Sequence, residues 1–281
     1  RKRRPTRDGS GKETLLKKVM KLRDNIKDRI LILDGAMGTM IQGYGLMEKD
    51  FRGNLELLQM LNYQGNNDML NLSRPDIIED IHRRYLGAGA DIISTNTFSA
   101  QRISQADYHM ESFSRDIAFA GAKLARQCAD EYSTAERPRY VAGSIGPTNK
   151  TCSMSPDVSD PAKRDLTYDA LFDAYSEQVA AMIEGGIDAV LIETIFDTLN
   201  AKVAIDASLS EMKKAGVDLP IMLSVTITDL SGRTLSGQTL DAFLASVSSY
   251  PIFSVGLNCS FGAEQMRPYL KELAAKAPYY I

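Results

Sequence analysis

The feature of this chain that most constrains its fold is a repeated alternation of short apolar runs with longer amphipathic segments. Six short runs are apolar almost throughout, and they lie at residues 30–33, 91–98, 139–147, 187–194, 219–226 and 252–257. Strands that are apolar on both faces are typical of a parallel sheet covered by helices. Helical periodicity predicts helices between them, at residues 13–28, 75–86, 110–132, 168–185, 198–215, 241–249 and 264–276.

Two architectures combine parallel strands and helices in this order, the doubly wound sheet and the (β/α)8 barrel. The chain has six complete βα units, and Tyr279 opens a seventh run. It has no G-x-G-x-x-G nucleotide fingerprint, which favours an α/β fold of the TIM-barrel type. Since such a barrel needs eight units, we expect residues 13–281 to form a barrel domain truncated after about six βα units. Residues 43–74 interrupt the pattern as an irregular polar insertion, and residues 148–166 form a loop of the length typical of lids.

The charge of the chain is unevenly distributed. Twelve Lys or Arg and only four Asp or Glu fall within residues 1–29, although the net charge of the whole chain is −3. Residues 1–12 have no apolar periodicity, and we predict a disordered basic leader there. Such an arm could bind nucleic acid or an anionic surface. Because no aromatic residues are interleaved with its basic ones, we expect a solvated leader and no nucleic-acid partner.

The apolar runs and the cysteines indicate the compartment. No apolar run reaches the roughly 18 residues that a membrane-spanning helix needs, so we expect no membrane partner. The chain has 3 cysteines in 281 residues. This odd, sparse count predicts reduced thiols and a cytoplasmic location.

Polar side chains follow most of the predicted strands at the point where each strand ends. In a parallel barrel these ends open onto one face, where the loops build the active site. The face would collect Asp34, Thr95, Asn96, Thr97, Ser144, Glu193, Thr226, Asn258 and Cys259. None of these is Lys or Arg, so a phosphate substrate is not favoured.

The two carboxylates in this set, Asp34 and Glu193, have three possible roles. They could form a general acid–base pair of the kind that cleaves glycosides. They could bind an ammonium group. They could also accept only backbone N–H bonds or cap helices, as carboxylates at strand ends often do.

The thiol of Cys259 could be a nucleophile or a metal ligand. A nucleophilic thiol needs a neighbouring histidine, but His82 lies within a charged helical segment, where we expect it on the surface, and His109 lies in a turn. A catalytic zinc needs about three protein ligands. Cys128 is expected to pack within a helix, and Cys152 lies in the long loop, so neither is expected at the site.

Several motifs resemble the homocysteine-binding barrel of cobalamin-dependent methionine synthases. The resemblance runs from about Asp28 to the end of the chain. It rests on the segments Leu-Asp-Gly-Ala-Met-Gly-Thr-Met at 33–40, Gly-Asn-Asn-Asp at 65–68, Thr-Asn-Thr-Phe at 95–98, Gly-Pro-Thr-Asn-Lys-Thr at 146–151, Leu-Ile-Glu-Thr-Ile-Phe-Asp-Thr at 191–198, Ser-Gly-Arg-Thr-Leu-Ser-Gly-Gln-Thr at 231–239 and Gly-Leu-Asn-Cys at 256–259. The second and fourth of these favour the cobalamin-dependent branch over betaine–homocysteine methyltransferases.

This resemblance implies a methyltransferase of methionine biosynthesis with zinc at its active site. Three cysteines would hold the zinc, of which Cys259 matches the first, and the other two are expected beyond Ile281. The substrate-binding residues that it implies are Asp34, Gly35, Ala36, Met37, Gly38, Thr95, Asn96, Glu193 and Asn258. Zinc lowers the pKa of the homocysteine thiol, and the thiolate takes a methyl group from methylcobalamin. Downstream folate, cobalamin and reactivation modules would regenerate methylcobalamin from 5-methyltetrahydrofolate.

The chain departs from the family pattern at Ala36, where a glycine is usual, and at Ser94, where a glutamate is usual. If residue 36 needs a positive φ, alanine costs about 1 kcal/mol there. The loss of a carboxylate at 94 could weaken ammonium binding or change a supporting contact. Three alternatives stay open: a betaine-type homocysteine S-methyltransferase, a carboxylate-pair hydrolase, and an inactive, incomplete barrel. The hydrolase is less favoured because the chain has no Trp to form a sugar platform. We expect this chain on its own to be inactive and to hold no stable catalytic zinc.

Overall fold

The computed structural model describes residues 22–56, 60–228 and 231–281. At its centre lies a parallel sheet whose strands are adjacent in chain order. The strands are β1 (Ile92–Ser94), β2 (Tyr140–Ile145), β3 (Ala189–Ile195), β4 (Ile221–Val225) and β5 (Ser254–Leu257). Four of them lie inside a predicted apolar run, and β3 extends one residue beyond its run. Such runs form strands here because buried β-branched and aliphatic residues fit a sheet that is covered on both faces.

Two further segments extend the sheet at its edges. Leu33 pairs with Ile92 of β1 through an isolated parallel bridge, and Tyr280 pairs in the same way with Ser254 of β5. The prediction of a seventh run at the end of the chain is therefore confirmed. Seven successive parallel positions in chain order are the arrangement of a TIM-type barrel, so the predicted α/β fold class is confirmed.

The first predicted strand differs from expectation. Residues 30–33 were expected to be buried, but Ile30 is 88% exposed and Ile32 is 56% exposed. The segment lies at the edge of the described sheet and has only β1 as a neighbour. Leu31 between them packs against the buried cluster that includes Tyr140, so the exposed pair lies on the opposite face, which the described residues leave open.

The helices occupy the connections between the strands. They are α1 (22–28), α2 (Met37–Gln42), α3 (Glu48–Arg52), α4 (Leu70–Ser73), α5 (Pro75–Ala88), α6 (Arg102–Gln105), α7 (Ser114–Tyr132), α8 (Tyr168–Gly185), α9 (Thr198–Ala215), α10 (Leu240–Val247) and α11 (Ala263–Lys276). The predicted bounds of α8 and α9 are confirmed because side chains mark both ends. Thr167 and Asp197 accept N-terminal backbone N–H bonds, and Gly186 and Gly216 end the helices at positive φ.

The insertion at 43–74 was predicted to be irregular and polar, and this was wrong in part. It contains α3, a 3₁₀ turn at Asn67–Met69 and α4. Phe51, Tyr63 and Leu70 are almost completely buried in the main core. These apolar residues are too widely spaced to give a helical or strand period, so the sequence pattern did not reveal their packing.

His82 was expected on the surface but is completely buried in α5. It lies four residues after the buried Ile78 and next to the buried Ile81, so it shares their face of the helix. Neither ring nitrogen has a hydrogen-bond partner. Burial therefore lowers the pKa of His82 to about 4, and the ring is neutral at pH 7.

Ion pairs stabilise the N-terminal end of β1, which is the end opposite the predicted site. Arg29 donates two hydrogen bonds to the buried carboxylate of Asp91, at 2.8 and 2.9 Å, and Arg137 donates a third at 3.1 Å. Burial opposes ionisation of Asp91, but these bonds and that from the Ile32 N–H lower its pKa to about 2. This cluster joins the edge segment at residue 29 to the rest of the sheet.

Some expectations lie outside the described residues. They include the basic leader at 1–12 and the beginning of the helix predicted at 13–28. Within the described ranges, none of the helices has the length and apolar character that crossing a membrane requires.

Candidate active site

A cavity of about 920 Å³ opens at the C-terminal ends of the strands. Every residue predicted for the substrate and metal sites lines it. These residues are Asp34, Gly35, Ala36, Met37, Gly38, Thr95, Asn96, Glu193, Asn258 and Cys259. The strand topology thus brings together side chains from positions 34 to 259, because all parallel strands end at the same face.

Asp34 follows the edge segment directly and is held against β1. Its backbone N–H donates to Ile92 O at 2.9 Å. Its two carboxyl oxygens accept from the backbone N–H of Ser94, at 2.9 Å, and from the Ser94 hydroxyl, at 2.5 Å. Burial nevertheless raises the pKa of Asp34 to about 7, with the two Ser94 bonds opposing the shift and the charge of Glu193 adding to it. Asp34 therefore titrates near neutral pH.

Glu193 lies two residues after Leu191, which also lines the cavity, so the alternation of side chains along β3 places it there. The pairing of β3 with β4 shifts register between Ile192 and Ile195, which is the signature of a bulge. The Glu193 Oε1 atom accepts a hydrogen bond from the Ser144 hydroxyl of β2 at 2.5 Å. Burial raises the pKa of Glu193, and the Ser144 bond limits that rise.

A third carboxyl group, that of Asp68, was missed as a site residue. It lies in the 3₁₀ turn of the Gly-Asn-Asn-Asp motif, is 5% exposed, and accepts from the Ser99 N–H at 3.1 Å. Burial raises its pKa to about 7, the Ser99 bond opposes this, and the Glu193 charge adds to it. The motif was interpreted only as turn chemistry and as a mark of resemblance. Its burial depends on the fold of the insertion, which the sequence pattern did not reveal.

Thr95 and Asn96 line the cavity, but their polar atoms bond to the protein. Asn96 Nδ2 donates to Asn67 O at 2.8 Å and to Asn71 Oδ1 at 3.0 Å. Thr95 Oγ1 accepts from the Ser144 N–H at 2.9 Å. These two residues therefore hold neighbouring loops in place. Thr97 and Thr226, which were also expected at this face, are buried beneath it.

Residues 35–38 were predicted as a glycine-bearing loop, and the structure places Gly35 and Ala36 just before α2. Met37 and Gly38 form its first turn. Ala36 has φ −58°, so the left-handed backbone that would penalise alanine does not occur. The departure from the usual glycine therefore carries no backbone strain.

Asn258 and Cys259 end β5 beside Thr194. Asn258 accepts from the Ser224 hydroxyl at 2.9 Å and donates to Thr194 Oγ1 at 2.8 Å. The Cys259 thiol is exposed, whereas Cys128 and Cys152 are buried, as predicted for Cys128. Burial raises the pKa values of the Cys128 and Cys152 thiols, so both are poor nucleophiles.

The implied zinc can be tested against these residues. Zinc in a catalytic site is held by about three protein ligands. Among residues 22–56, 60–228 and 231–281, no group of three His, Cys, Asp or Glu is placed to hold a metal ion. The described residues therefore supply at most one thiolate ligand, Cys259, and do not fit a complete zinc site.

The charge of the cavity indicates the ligand that it accepts. Its described lining includes the carboxyl groups of Asp34, Asp68, Asp107 and Glu193, and none of those lining residues is Lys, Arg or His. A cavity with this lining favours a positively charged ligand group, such as an ammonium, over a phosphate.

The parallel α/β sheet and the polar cavity at its C-terminal strand ends define a protein of the TIM-barrel class, whose active sites lie at this face. Residues 31–281 match the family model of homocysteine S-methyltransferases, and the chain belongs to that family. Membership favours methyl transfer over hydrolysis by a carboxylate pair.

Solved structures with a similar fold include the homocysteine methyltransferase MmuM from Escherichia coli. Its metallated form matches with a TM-score of 0.69 at 20% identity, over 90% of this chain and 83% of that chain. Its apo form matches with a TM-score of 0.61 at 23% identity, over 88% of this chain and 78% of that chain. At this level of identity the likeness concerns the fold.

Proposed function

We propose that this protein binds homocysteine in the strand-end cavity and presents its sulfur for methylation to methionine. The observation that carries the proposal is the pair Asp34 and Glu193. These two carboxyl groups interact electrostatically in a cavity whose described lining has no basic residue. An ammonium group bound between them would supply the positive charge that the lining residues lack.

The residues of the site have separate roles in this proposal. Asp34 gives up its proton as the substrate ammonium arrives, because a nearby cation favours the ionised carboxylate. Ser94 and Ser144 hold the carboxyl groups of Asp34 and Glu193 in fixed directions. Residues 35–38 lie near the substrate carboxylate, and Thr95 and Asn96 fix the surrounding loops. Asn258 and Cys259 lie at the sulfur end.

The methyl donor that we propose is methylcobalamin, regenerated from 5-methyltetrahydrofolate by downstream folate, cobalamin and reactivation modules. The Gly-Asn-Asn-Asp and Gly-Pro-Thr-Asn segments support this branch, and a betaine-type homocysteine S-methyltransferase is the alternative. When bound, zinc would stabilise the substrate thiolate at neutral pH, and Cys259 would be one of its ligands. The three unpaired cysteines support a reducing compartment such as the cytoplasm.

Isothermal titration of the full chain with homocysteine tests the proposal. Glu193→Gln and Asp34→Asn each remove one charged partner of the ammonium. Hydrogen bonds to charged groups contribute about 1.5–3 kcal/mol, so each variant should raise Kd by roughly 10- to 100-fold. Glu136→Gln, at an exposed position at the other end of the sheet, is the matched control and should bind like the wild type. Absence of homocysteine binding to the wild type, or unchanged affinity in Glu193→Gln, would rule the proposal out.

A further inference from the structure

Thr194 has a backbone conformation that threonine rarely adopts. Its φ is +57°, and that of Cys259 is +52°. Left-handed backbone is unfavourable for a β-branched side chain, and it persists in a native structure only where the surroundings hold it. Glycine would adopt this φ without strain. The threonine hydroxyl, however, makes contacts that glycine could not make.

The side chain of Asn258 holds Thr194 in this backbone conformation. The Thr194 N–H donates to Asn258 Oδ1 at 3.1 Å, and Asn258 Nδ2 donates back to Thr194 Oγ1 at 2.8 Å. Asn258 is itself fixed, because its N–H donates to Val225 O at 3.1 Å and its side chain accepts from Ser224. The side-chain amide of Asn258 thus makes two hydrogen bonds to Thr194 of β3.

The same groups contact the sulfur of Cys259. Asn258 Nδ2 lies 3.3 Å from Cys259 Sγ, and the Thr194 hydroxyl donates to that sulfur at 3.8 Å. On the other side, Thr194 directly follows Glu193, and both lie where the pairing of β3 with β4 shifts register. Thr194 therefore lies between the carboxylate proposed for the substrate ammonium and the thiol at the opposite end of the site.

We propose that Thr194 is a positioning residue that fixes the distance between the amino-group end and the sulfur end of the homocysteine site. It acts through Asn258, and its hydroxyl and its left-handed backbone contribute separately. This inference rests on the proposed function, since it concerns how the same cavity holds the sulfur of a substrate whose amino group is bound at the other end.

The test compares homocysteine with 2-aminobutyrate, an amino acid that lacks the sulfur, by isothermal titration of the full-length chain. Thr194→Val keeps the branched shape and removes the hydroxyl, whereas Thr194→Ser keeps the hydroxyl. The wild type should prefer homocysteine, Thr194→Val should lose about tenfold of that preference, and Thr194→Ser should retain it. Thr134→Val removes an exposed hydroxyl away from the cavity, one that accepts from the Arg137 N–H, and is the matched control.

Thr194→Gly covers the case in which the valine variant does not fold, since glycine adopts the left-handed backbone freely. It should fold and still lose the preference for homocysteine. An equal loss of affinity for both ligands in Thr194→Val would indicate a merely structural role and overturn the inference, as would an unchanged preference or a wild type that binds both ligands equally. A wild type that does not bind homocysteine would instead refute the proposed function.

Discussion

The Ser94→Ala substitution tests how the Ser94 hydroxyl controls the pKa of Asp34. The wild-type hydroxyl donates to Asp34 Oδ1 at 2.5 Å, while the Ser94 backbone N–H, at 2.9 Å, is retained in the variant. A hydrogen bond to a charged group contributes about 1.5–3 kcal/mol, and one pKa unit corresponds to about 1.4 kcal/mol. Loss of the hydroxyl should therefore raise the pKa of Asp34 from about 7 by roughly one to two units.

The expected consequence is a change in the pH dependence of homocysteine affinity. At pH 7 about half of the wild-type Asp34 is ionised, whereas about a tenth or less would be ionised in the variant. Kd at pH 7 should rise by roughly fivefold or more, and the difference should shrink as the pH approaches 8.5. Calorimetric titrations from pH 5.5 to 8.5 measure this. Ser104→Ala is the matched control, because its hydroxyl lines the same cavity but accepts from Gln101. A pH profile that does not move, or one that moves to lower pH, would refute the reasoning.

Two further substitutions test how the shifted pKa values of the buried His82 and Asp68 change the stability of the fold with pH. The pKa of His82 is lower in the folded chain, about 4, than in the unfolded chain, so acid favours unfolding between about pH 6.5 and 4. His82→Leu should lose about 2 kcal/mol less stability than the wild type between pH 7 and 4.5, measured by urea unfolding; equal losses in variant and wild type would contradict it. The pKa of Asp68 is raised in the folded chain to about 7, so its ionisation costs stability as the pH rises from about 4 to 7. Asp68→Asn should therefore melt roughly 5 °C higher than the wild type at pH 8 and by much less at pH 4.5, and an equal shift at both pH values would argue against the mechanism.

Much of the fold followed from sequence periodicity. The bounds of α8 and α9 could be predicted because a threonine or aspartate cap and a following glycine mark each helix. The burial of His82 could not, since a histidine among charged neighbours is ordinarily exposed and only its place on the Ile78 face reveals otherwise. The exposure of Ile30 could not be predicted either, because an apolar run does not show whether other elements cover both of its faces.

The site was predictable to the extent that it depends on strand ends. Asp34, Glu193 and Cys259 come together because the strands are parallel, and the sequence indicated that topology. The environment of each group was not predictable. The register shift in β3, the left-handed Thr194 and the burial of Asp68 arise from contacts between segments far apart in the chain.

The edge segment that ends at Asp34 has a consequence for binding thermodynamics. Ile30 and Ile32 are exposed, so this edge is held less by apolar burial than by the hydrogen bonds of two carboxyl groups, Asp91 with Arg29 and Asp34 with Ser94, and its resistance to local opening depends on them. A ligand that joins Asp34 to Glu193 would tie this edge to the middle of the sheet. Part of its intrinsic binding free energy would then be spent on suppressing the open population. The measured affinity would thus include an opening equilibrium, and substitutions in the edge that never touch the ligand would change it.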